Sequence, residues 1–315
     1  MDSVFTIDCN YVRPRVAAAY LIIEGDRAAF VENNTTHAVP LMLDALRAHG
    51  MEPEQVEYAI ITHVHLDHAG GSSALLKACP NATLLAHPRA ARHVIDPSRL
   101  IRSSVMVYGE EPFRELYGEI EPVAADRVRT MADGEELRFG NRTLTFFFTR
   151  GHANHHFCIH DSGTNGVFTG DSFGLAYPDL QVGSRPLLYP STTPTDFHAE
   201  EARLSVRRIL ETGADRAYLT HFDAFEHMQE GADQMLRGLD VMEEILDAAS
   251  ESGEQGDPLR RFCEDRIRAY LDGELADRGL ALDGAGRKLM DLDIELNAMG
   301  IAFAADRLRR AVAAD

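Results

Sequence analysis

The chain has 315 residues with 50 acidic and 31 basic side chains, a formal net charge of -19, and 45% hydrophobic residues. So acidic a surface repels polyanions, which argues against nucleic acid and membranes as partners. The apolar fraction is too high for a disordered chain, and no apolar run approaches the roughly 18 residues of a membrane span.

The N-terminus and the cysteines bear on the cellular compartment. Met1 to Phe5 lacks a basic start followed by an apolar run, so we expect no secretory signal. The four cysteines form no CxxC pair, which favours buried reduced thiols. We therefore expect a cytoplasmic protein. With nucleic acid and membranes disfavoured, a small-molecule substrate is the expected partner, and the sequence is compatible with a homo-oligomer. The unusual feature of the composition is its 14 histidines, beside only two lysines and no tryptophan.

The first two thirds of the chain alternate between strand and helix patterns. Apolar runs over 18–24 and 27–32, joined by Gly25-Asp26, predict a hairpin. Helical spacing over 39–49, closed by Gly50, predicts a helix. Further strands are expected at 58–61, 82–87, 144–148, 157–160, 167–169 and 217–219, and further helices at 72–78 and 197–212.

Two other regions have helical character. Residues 88–127, rich in Arg, Pro and Tyr, predict a helical insertion between the two strand-rich halves. From residue 228 onward the strand signals vanish and helical periodicity continues, with a Gly/Ser/Glu linker at 250–257. The sequence therefore predicts a two-layered sheet domain over 1–227 and an all-helical extension over 228–315.

The strongest chemical signal is the run Thr62-His63-Val64-His65-Leu66-Asp67-His68, directly after a predicted strand. Residues two apart in an extended segment point the same way, so His63 and His65 can bind one ion. The backbone then turns, and Asp67 and His68 can face a neighbouring point. Imidazole and carboxylate together suit zinc, iron or manganese.

Three further candidates also follow predicted strands. These are His152 after 146–148, Asp171 after 167–168, and His221 after 217–219. Successive strand ends in a layered sheet open on one edge, so these side chains can converge with the HxHxDH run. Asp171 suits a bridging role, because a carboxylate offers two oxygens to two cations.

In these residues the chain resembles the metallo-β-lactamase-fold hydrolases. The matching residues occur in the family's order over roughly 15–225. The resemblance implies an αββα sandwich as the catalytic domain, 1–227, with a dinuclear site at one edge. It implies two divalent ions, with zinc expected first and iron or manganese also suited. By the family pattern His63, His65 and His152 hold the first ion, Asp67, His68 and His221 the second, and Asp171 bridges them.

The resemblance also narrows the branch of the family. His65 stands where the flavodiiron branch has Glu, which favours hydrolases of the glyoxalase II type. Two departures occur: Glu32-Asn33-Asn34-Thr35 replaces the usual Asp-Thr-Gly-like turn, and His155 replaces the second glycine of the Gly-His-x-x-Gly-His form. The insertion and the helical extension resemble the subgroup that contains the pseudomonad quinolone-signal response thioesterase. In that layout the added helices cover the site.

Further residues are candidates for supporting roles. His155 and His156 could donate hydrogen bonds that orient a metal ligand. Tyr108, Tyr177 and Tyr189 lie in loops or the insertion and could contact substrate. Four arginines between 89 and 102 could bind an anionic substrate tail, although ion pairing with nearby acids is the commoner use of such a patch.

The resemblance implies hydrolysis of a thioester or ester by a hydroxide that bridges the two metals and that Asp67 orients. Phosphodiesters and lactones suit the same centre. One alternative is a mononuclear iron persulfide dioxygenase that uses His63, His152 and Asp171 and leaves the second site without metal. Another is a metal-stabilised regulatory protein without turnover, which a complete ligand set disfavours.

Overall fold

The computed structural model describes residues 3–181, 185–192 and 197–312. The chain divides into two compact units. The first unit comprises Met1–Phe148, His155–Gly170 and Thr212–Glu226, and the second comprises Thr149–Asn154, Asp171–Glu211 and His227–Asp315.

The first sheet of the first unit has six strands in chain order. They are β1 (Val4–Asp8), β2 (Ala18–Glu24), β3 (Arg27–Val31), β4 (Val56–Ile60), β5 (Thr83–Ala86) and β6 (Val128–Thr130). The β1, β2 and β3 strands pair antiparallel, whereas β3 to β6 pair parallel. Parallel strands need crossover connections, which here are helical.

Six helices of the first unit lie along these crossovers. They are α1 (Val39–Ala48), α2 (Leu66–Ala69), α3 (Ser72–Ala78), α4 (Pro88–Ile95), α5 (Ser98–Tyr108) and α6 (Glu110–Tyr117). Buried side chains of α1, α3 and α4, such as Met42, Leu75 and Val94, join one face of the sheet in a single apolar cluster. Packing of this cluster positions the connection between β4 and α2, which contains His63 and His65.

The second sheet of the first unit follows the order β12-β11-β10-β9-β8-β7. Its strands are β7 (Glu136–Phe139), β8 (Arg142–Phe148), β9 (Phe157–Asp161), β10 (Gly166–Gly170), β11 (Arg216–Leu219) and β12 (Asp223–Phe225). A second apolar cluster joins this sheet to the other face of the first sheet. Within it the Tyr20 ring meets the Phe168 ring edge-on, with centroids 5.4 Å apart. The two sheets are therefore layers around one core.

The second unit is helical. Its helices are α7 (Ala199–Glu211), α8 (Met228–Glu251), α9 (Gly256–Asp277) and α10 (Gly284–Val312). Buried polar side chains of α8 and α10 bond to the loop that precedes α7: the Gln234 amide bonds to Leu188 and Pro186, and Asn297 accepts from Thr192. Within the described ranges no helix combines the length and apolarity that crossing a membrane requires.

The predicted elements are confirmed with shifts of one to three residues at most ends, and the predicted insertion is helical over α4 to α6. The linker between α8 and α9 is shorter than predicted, because α8 continues to Glu251 and α9 begins at Gly256. The short strands β1, β6 and β12 lacked a sequence signal, because each lies at a sheet edge and half or more of its side chains are only partly buried or exposed.

Candidate metal centre

The HxHxDH run combines an extended segment with the first turn of a helix. The backbone of His65 is extended, with φ -61° and ψ 147°, and α2 begins at the next residue. His63 and His65 therefore lie on the extended part, with Nε2 of His63 2.9 Å from Nδ1 of His65. Asp67 and His68 lie in α2. The turn of the backbone that the sequence predicted is observed after His65, and it separates these four side chains into two pairs.

One candidate metal site lies entirely within the first unit. Asp67, His68 and His221 each offer a ligand atom, and these atoms lie within 4.8 Å of one another. The Asp67 Oδ2 atom is 3.7 Å from Nε2 of His68 and 3.4 Å from Nε2 of His221. The His68 side chain is fully buried, and that of Asp67 is 22% exposed. The group therefore combines two buried imidazoles with a carboxylate that solvent can reach.

Three candidate ligands of this unit, His63, His68 and His221, have a bonding partner at Nδ1. Nδ1 of His68 lies 3.0 Å from a Glu32 carboxylate oxygen, and Nδ1 of His221 lies 2.8 Å from the Val16 carbonyl oxygen. Nδ1 of His63 lies 3.0 Å from the Thr62 hydroxyl. A bond to Nδ1 fixes the orientation of the ring, which is the usual arrangement around metal-binding histidines.

Glu32 supports the candidate site formed by Asp67, His68 and His221, and the sequence did not predict this role. Its side chain is 1% exposed. Besides His68, its carboxylate accepts hydrogen bonds from the Thr62 hydroxyl at 2.6 Å and the Thr220 hydroxyl at 3.0 Å. Glu32 has a φ of 65°, which places it in a region that non-glycine residues rarely adopt. Backbone strain of this kind concentrates at functional sites. In the sequence, the only hint of this role was an acidic residue directly before Asn33.

The glycine pair after the motif allows the turn at 32–35 to approach α2 closely. A Cβ on Gly71 would lie 2.3 Å from the Asn33 carbonyl oxygen and 2.7 Å from the Thr35 carbonyl oxygen. Only hydrogen fits there. The side-chain amide of Asn34 donates to the Asp67 carbonyl at 2.9 Å, which holds the turn against the motif.

The other two predicted ligands form a close pair in the second unit. The Nε2 atom of His152 is 3.3 Å from Oδ2 of Asp171, and both side chains are buried. His152 follows Gly151, whose φ is 113° and whose Cβ would lie 2.2 Å from the Ala202 backbone nitrogen. Nδ1 of His152 lies 3.2 Å from the Ser191 carbonyl oxygen. His152 is therefore also oriented through Nδ1, with Nε2 toward the carboxylate.

The remaining candidates lie in different surroundings. The His156 ring centroid is 4.8 Å from that of His63, and the His155 ring centroid is 5.8 Å from that of His65.

Tyr177 and Tyr189 are buried, and their hydroxyls donate to Asp293 at 3.3 and 2.7 Å. Burial and the Asp293 charge raise the pKa of Tyr189 well above its usual value. Both hydroxyls therefore bond to the same carboxylate within the second unit. The side chain of Tyr108 lies outside the described residues.

The donor set fits a divalent transition-metal ion. An ion bound by imidazole nitrogen and carboxylate oxygen at roughly 2.0–2.2 Å brings such atoms to within about 4 Å of one another. The Asp67, His68 and His221 atoms already lie near this spacing. No thiolate takes part, since the four cysteines are buried and free.

The chain belongs to the metallo-beta-lactamase superfamily, whose sequence profile matches residues 12–221. Among curated proteins it is 25% identical over 227 residues to "Metallo-beta-lactamase fold-containing protein ST1585" of Sulfurisphaera tokodaii, covering 70% of this chain and 80% of that protein. It is also 29% identical over 101 residues to a rubredoxin-oxygen oxidoreductase of Megalodesulfovibrio gigas, covering 32% of this chain and 19% of that protein.

Solved structures share the fold. The crystal structure of ST1585 from Sulfolobus tokodaii aligns with a TM-score of 0.67 at 19% identity, covering 96% of this chain and 98% of that one. TTHA1429 of Thermus thermophilus, a metallo-beta-lactamase family protein, aligns with a TM-score of 0.59 at 18% identity, covering 79% and 83%. The metallo-beta-lactamase SMB-1 aligns with a TM-score of 0.51 at 21% identity, covering 76% and 95%. The fold class predicted from the sequence is confirmed.

Proposed function

We propose that this chain is a hydrolase that uses two divalent metal ions to cleave a thioester or ester. The observation that carries the proposal is the Asp67, His68 and His221 group, with its ligand atoms within 4.8 Å of one another. Nδ1 of His68 lies beside a Glu32 oxygen and Nδ1 of His221 beside the Val16 carbonyl oxygen, while Nε2 of each ring faces the Asp67 carboxylate. Members of this superfamily are mostly hydrolytic enzymes, which supports the same reaction class.

The proposed ligand sets follow the family pattern. Besides the group in the first unit, His63 and His65 would share another ion with His152, and Asp171 would bridge. The support for this assignment is the closeness within each pair, 2.9 Å for His63 and His65 and 3.3 Å for His152 and Asp171. Zinc is the proposed metal, and the same ligands suit iron and manganese.

Asp67 and Glu32 have different roles in the proposed hydrolysis. Divalent ions held there would lower the pKa of a coordinated water from about 15.7 toward 7 and polarise a carbonyl oxygen. The exposed side of the Asp67 carboxylate can accept a hydrogen bond from the attacking water and thereby orient it. Glu32 keeps the His68 ring in place during this step.

Three of the four cysteines do not offer a competing nucleophile. Burial raises the pKa of both the Cys79 and the Cys263 thiols to about 11, and it raises that of Cys9 further. A thiolate is the reactive form of cysteine, and these side chains remain protonated at neutral pH. These thiols are therefore poor nucleophiles, and a metal-bound water is the nucleophile that we propose.

The proposal is tested with a panel of thioesters, esters, lactones and a phosphodiester, assayed on zinc-loaded protein. The expected result is hydrolysis of a thioester or ester that falls by about a hundredfold or more in the His63→Ala and Asp67→Asn variants. The matched control is His49→Ala, because His49 is an exposed histidine at the end of α1. Full activity in both site variants would overturn the proposal, as would turnover of the phosphodiester or lactone alone.

An iron oxidoreductase is the second candidate, and its support is a partial match to a rubredoxin-oxygen oxidoreductase, which covers 32% of this chain and 19% of that protein. A mononuclear persulfide dioxygenase of this fold would bind one iron at His63, His152 and Asp171. One iron per purified chain, with sulfite formed from glutathione persulfide, would favour this candidate. Two zinc ions per chain would exclude it.

A further inference from the structure

Four arginines are concentrated on the helices α4 and α5 of the first unit. Residues 88–102 contain Arg89, Arg92, Arg99 and Arg102 and a single acid, Asp96, in a chain whose net charge is -19. All four arginines are exposed, and we call them the arginine patch. Asp96 accepts from the Ser98 amide at 3.1 Å and caps the start of α5. The local charge is therefore strongly positive on an acidic protein.

The arginine patch is not neutralised by ion pairs. In the described parts of the chain, none of its members has a carboxylate within 4.0 Å of a guanidinium nitrogen. Arg114, on α6 of the same insertion, illustrates the contrast because it pairs with Glu110 at 3.7 Å. Ion pairing was the commoner use expected for such a patch, and the structure does not show it. The guanidinium groups remain available to an external anion.

A row of imidazoles connects the arginine patch to the HxHxDH motif. The Arg92 guanidinium lies against His93, with 3.2 Å between Nε and Nε2. The His93 ring centroid is 6.2 Å from that of His155, which in turn is 5.8 Å from that of His65. Burial lowers the pKa of His93, and the charges of Arg92 and Arg99 lower it further. His93 is thus a neutral polar group between the motif and the arginines.

We propose that the arginine patch binds the anionic end of the substrate whose scissile carbonyl is held at the motif. This inference rests on the proposed function. Each step along the row is about 6 Å. The His65 and His93 ring centroids are therefore at most about 12 Å apart. An extended arm the length of a tripeptide, roughly 10 Å, is of the same order. The substrate class is therefore a thioester or ester whose leaving group carries a carboxylate or phosphate at its far end.

The kinetic test compares thioesters with one acyl group and different thiols. The glutathione thioester carries carboxylates, the coenzyme A thioester carries phosphates, and the N-acetylcysteamine thioester is neutral. In the wild type, kcat/KM is expected to be higher for one or both anionic thioesters than for the neutral one. The Arg92→Ala/Arg99→Ala variant should lose about tenfold or more of this ratio, mainly through KM. The matched control Arg114→Ala should retain the ratio, and a ratio unchanged in the double variant would overturn the inference.

A second measurement separates this inference from the proposed function. Arginine Nε–H resonances of the zinc-loaded protein are followed by NMR during titration with sodium sulfate, with sodium perchlorate at equal ionic strength as the reference. Saturable shifts that are lost in Arg92→Ala/Arg99→Ala support an anion site even if no thioester is hydrolysed, in which case only the proposed function fails. Equal shifts with both salts contradict the anion site.

Discussion

The substitution Glu32→Gln tests how the proposed metal site of Asp67, His68 and His221 is supported. One oxygen of the Glu32 carboxylate lies 2.6 Å from the Thr62 hydroxyl and 3.0 Å from both Nδ1 of His68 and the Thr220 hydroxyl. The other oxygen accepts from the Thr62 backbone N–H at 3.3 Å. Glutamine can retain the first oxygen, but its amide NH2 then faces the Thr62 N–H. The variant loses one acceptor and the negative charge with little change of volume.

The expected magnitudes follow from these contacts. Hydrogen bonds to charged groups contribute about 1.5–3 kcal/mol, against about 0.5–1.5 kcal/mol for neutral ones, so three weakened bonds and one unsatisfied N–H reduce the free energy of unfolding by about 3 kcal/mol or more. Loss of a partner that orients a metal-binding histidine weakens metal affinity by about 10- to 100-fold. The effect on affinity should be confined to the ion held by His68.

The assay has two parts. Urea unfolding of metal-free protein gives the stability change, and zinc competition with a chromophoric chelator gives the two dissociation constants. The matched control is Glu57→Gln on β4, whose carboxylate pairs with Arg27 at 3.1 Å on the surface. An exposed pair of this kind contributes about 1 kcal/mol or less, so the control should bind zinc normally. Glu32→Gln protein that binds both ions within twofold of the wild type would refute the reasoning.

Three further predictions concern packing and the thiols. Gly71→Ala should lower the free energy of unfolding by about 2 kcal/mol or more, because its Cβ would meet two backbone carbonyls, whereas Gly273→Ala in α9, with open space around it, should raise it by about 0.5–1 kcal/mol. Urea unfolding of both variants measures whether the free energy of unfolding falls for Gly71→Ala and rises for Gly273→Ala. Asn297→Leu should lower the free energy of unfolding by about 1–3 kcal/mol in the same assay, because the Thr192 groups that donate to Asn297 lose their acceptor. An unchanged stability would contradict a stabilising role for these hydrogen bonds. Cys79 and Cys263, with a pKa of about 11, should not react with a disulfide reagent at pH 8 until the chain unfolds, and they should react faster as the pH approaches 11.

The sequence indicated the candidate metal ligands more readily than the contacts that support them. The HxHxDH run was recognisable because an extended segment gives a spacing of two, and the observed backbone changes to helix after His65 as that spacing implied. His152, Asp171 and His221 could be proposed as ligands far along the chain because each follows the end of a strand, β8, β10 or β11. These signals are local in sequence.

The supporting contacts could not be predicted because they join residues distant in sequence. Glu32 bonds to Thr220 across 188 positions, and nothing in the local pattern around either residue specifies that meeting. The same holds for the Val16 carbonyl that orients His221. The missed edge strands β1, β6 and β12 have a different cause, since their side chains are only partly buried and lack a clear apolar alternation.

The most direct test of the proposed hydrolase is a zinc titration of metal-free protein. Thioester hydrolysis is measured as zinc is added in equivalents per chain, with the thioester that the wild type cleaves fastest. Two ions acting together predict that activity rises from the background level and levels off at two equivalents. Full hydrolysis without added metal, or no hydrolysis at any equivalence, would contradict the account.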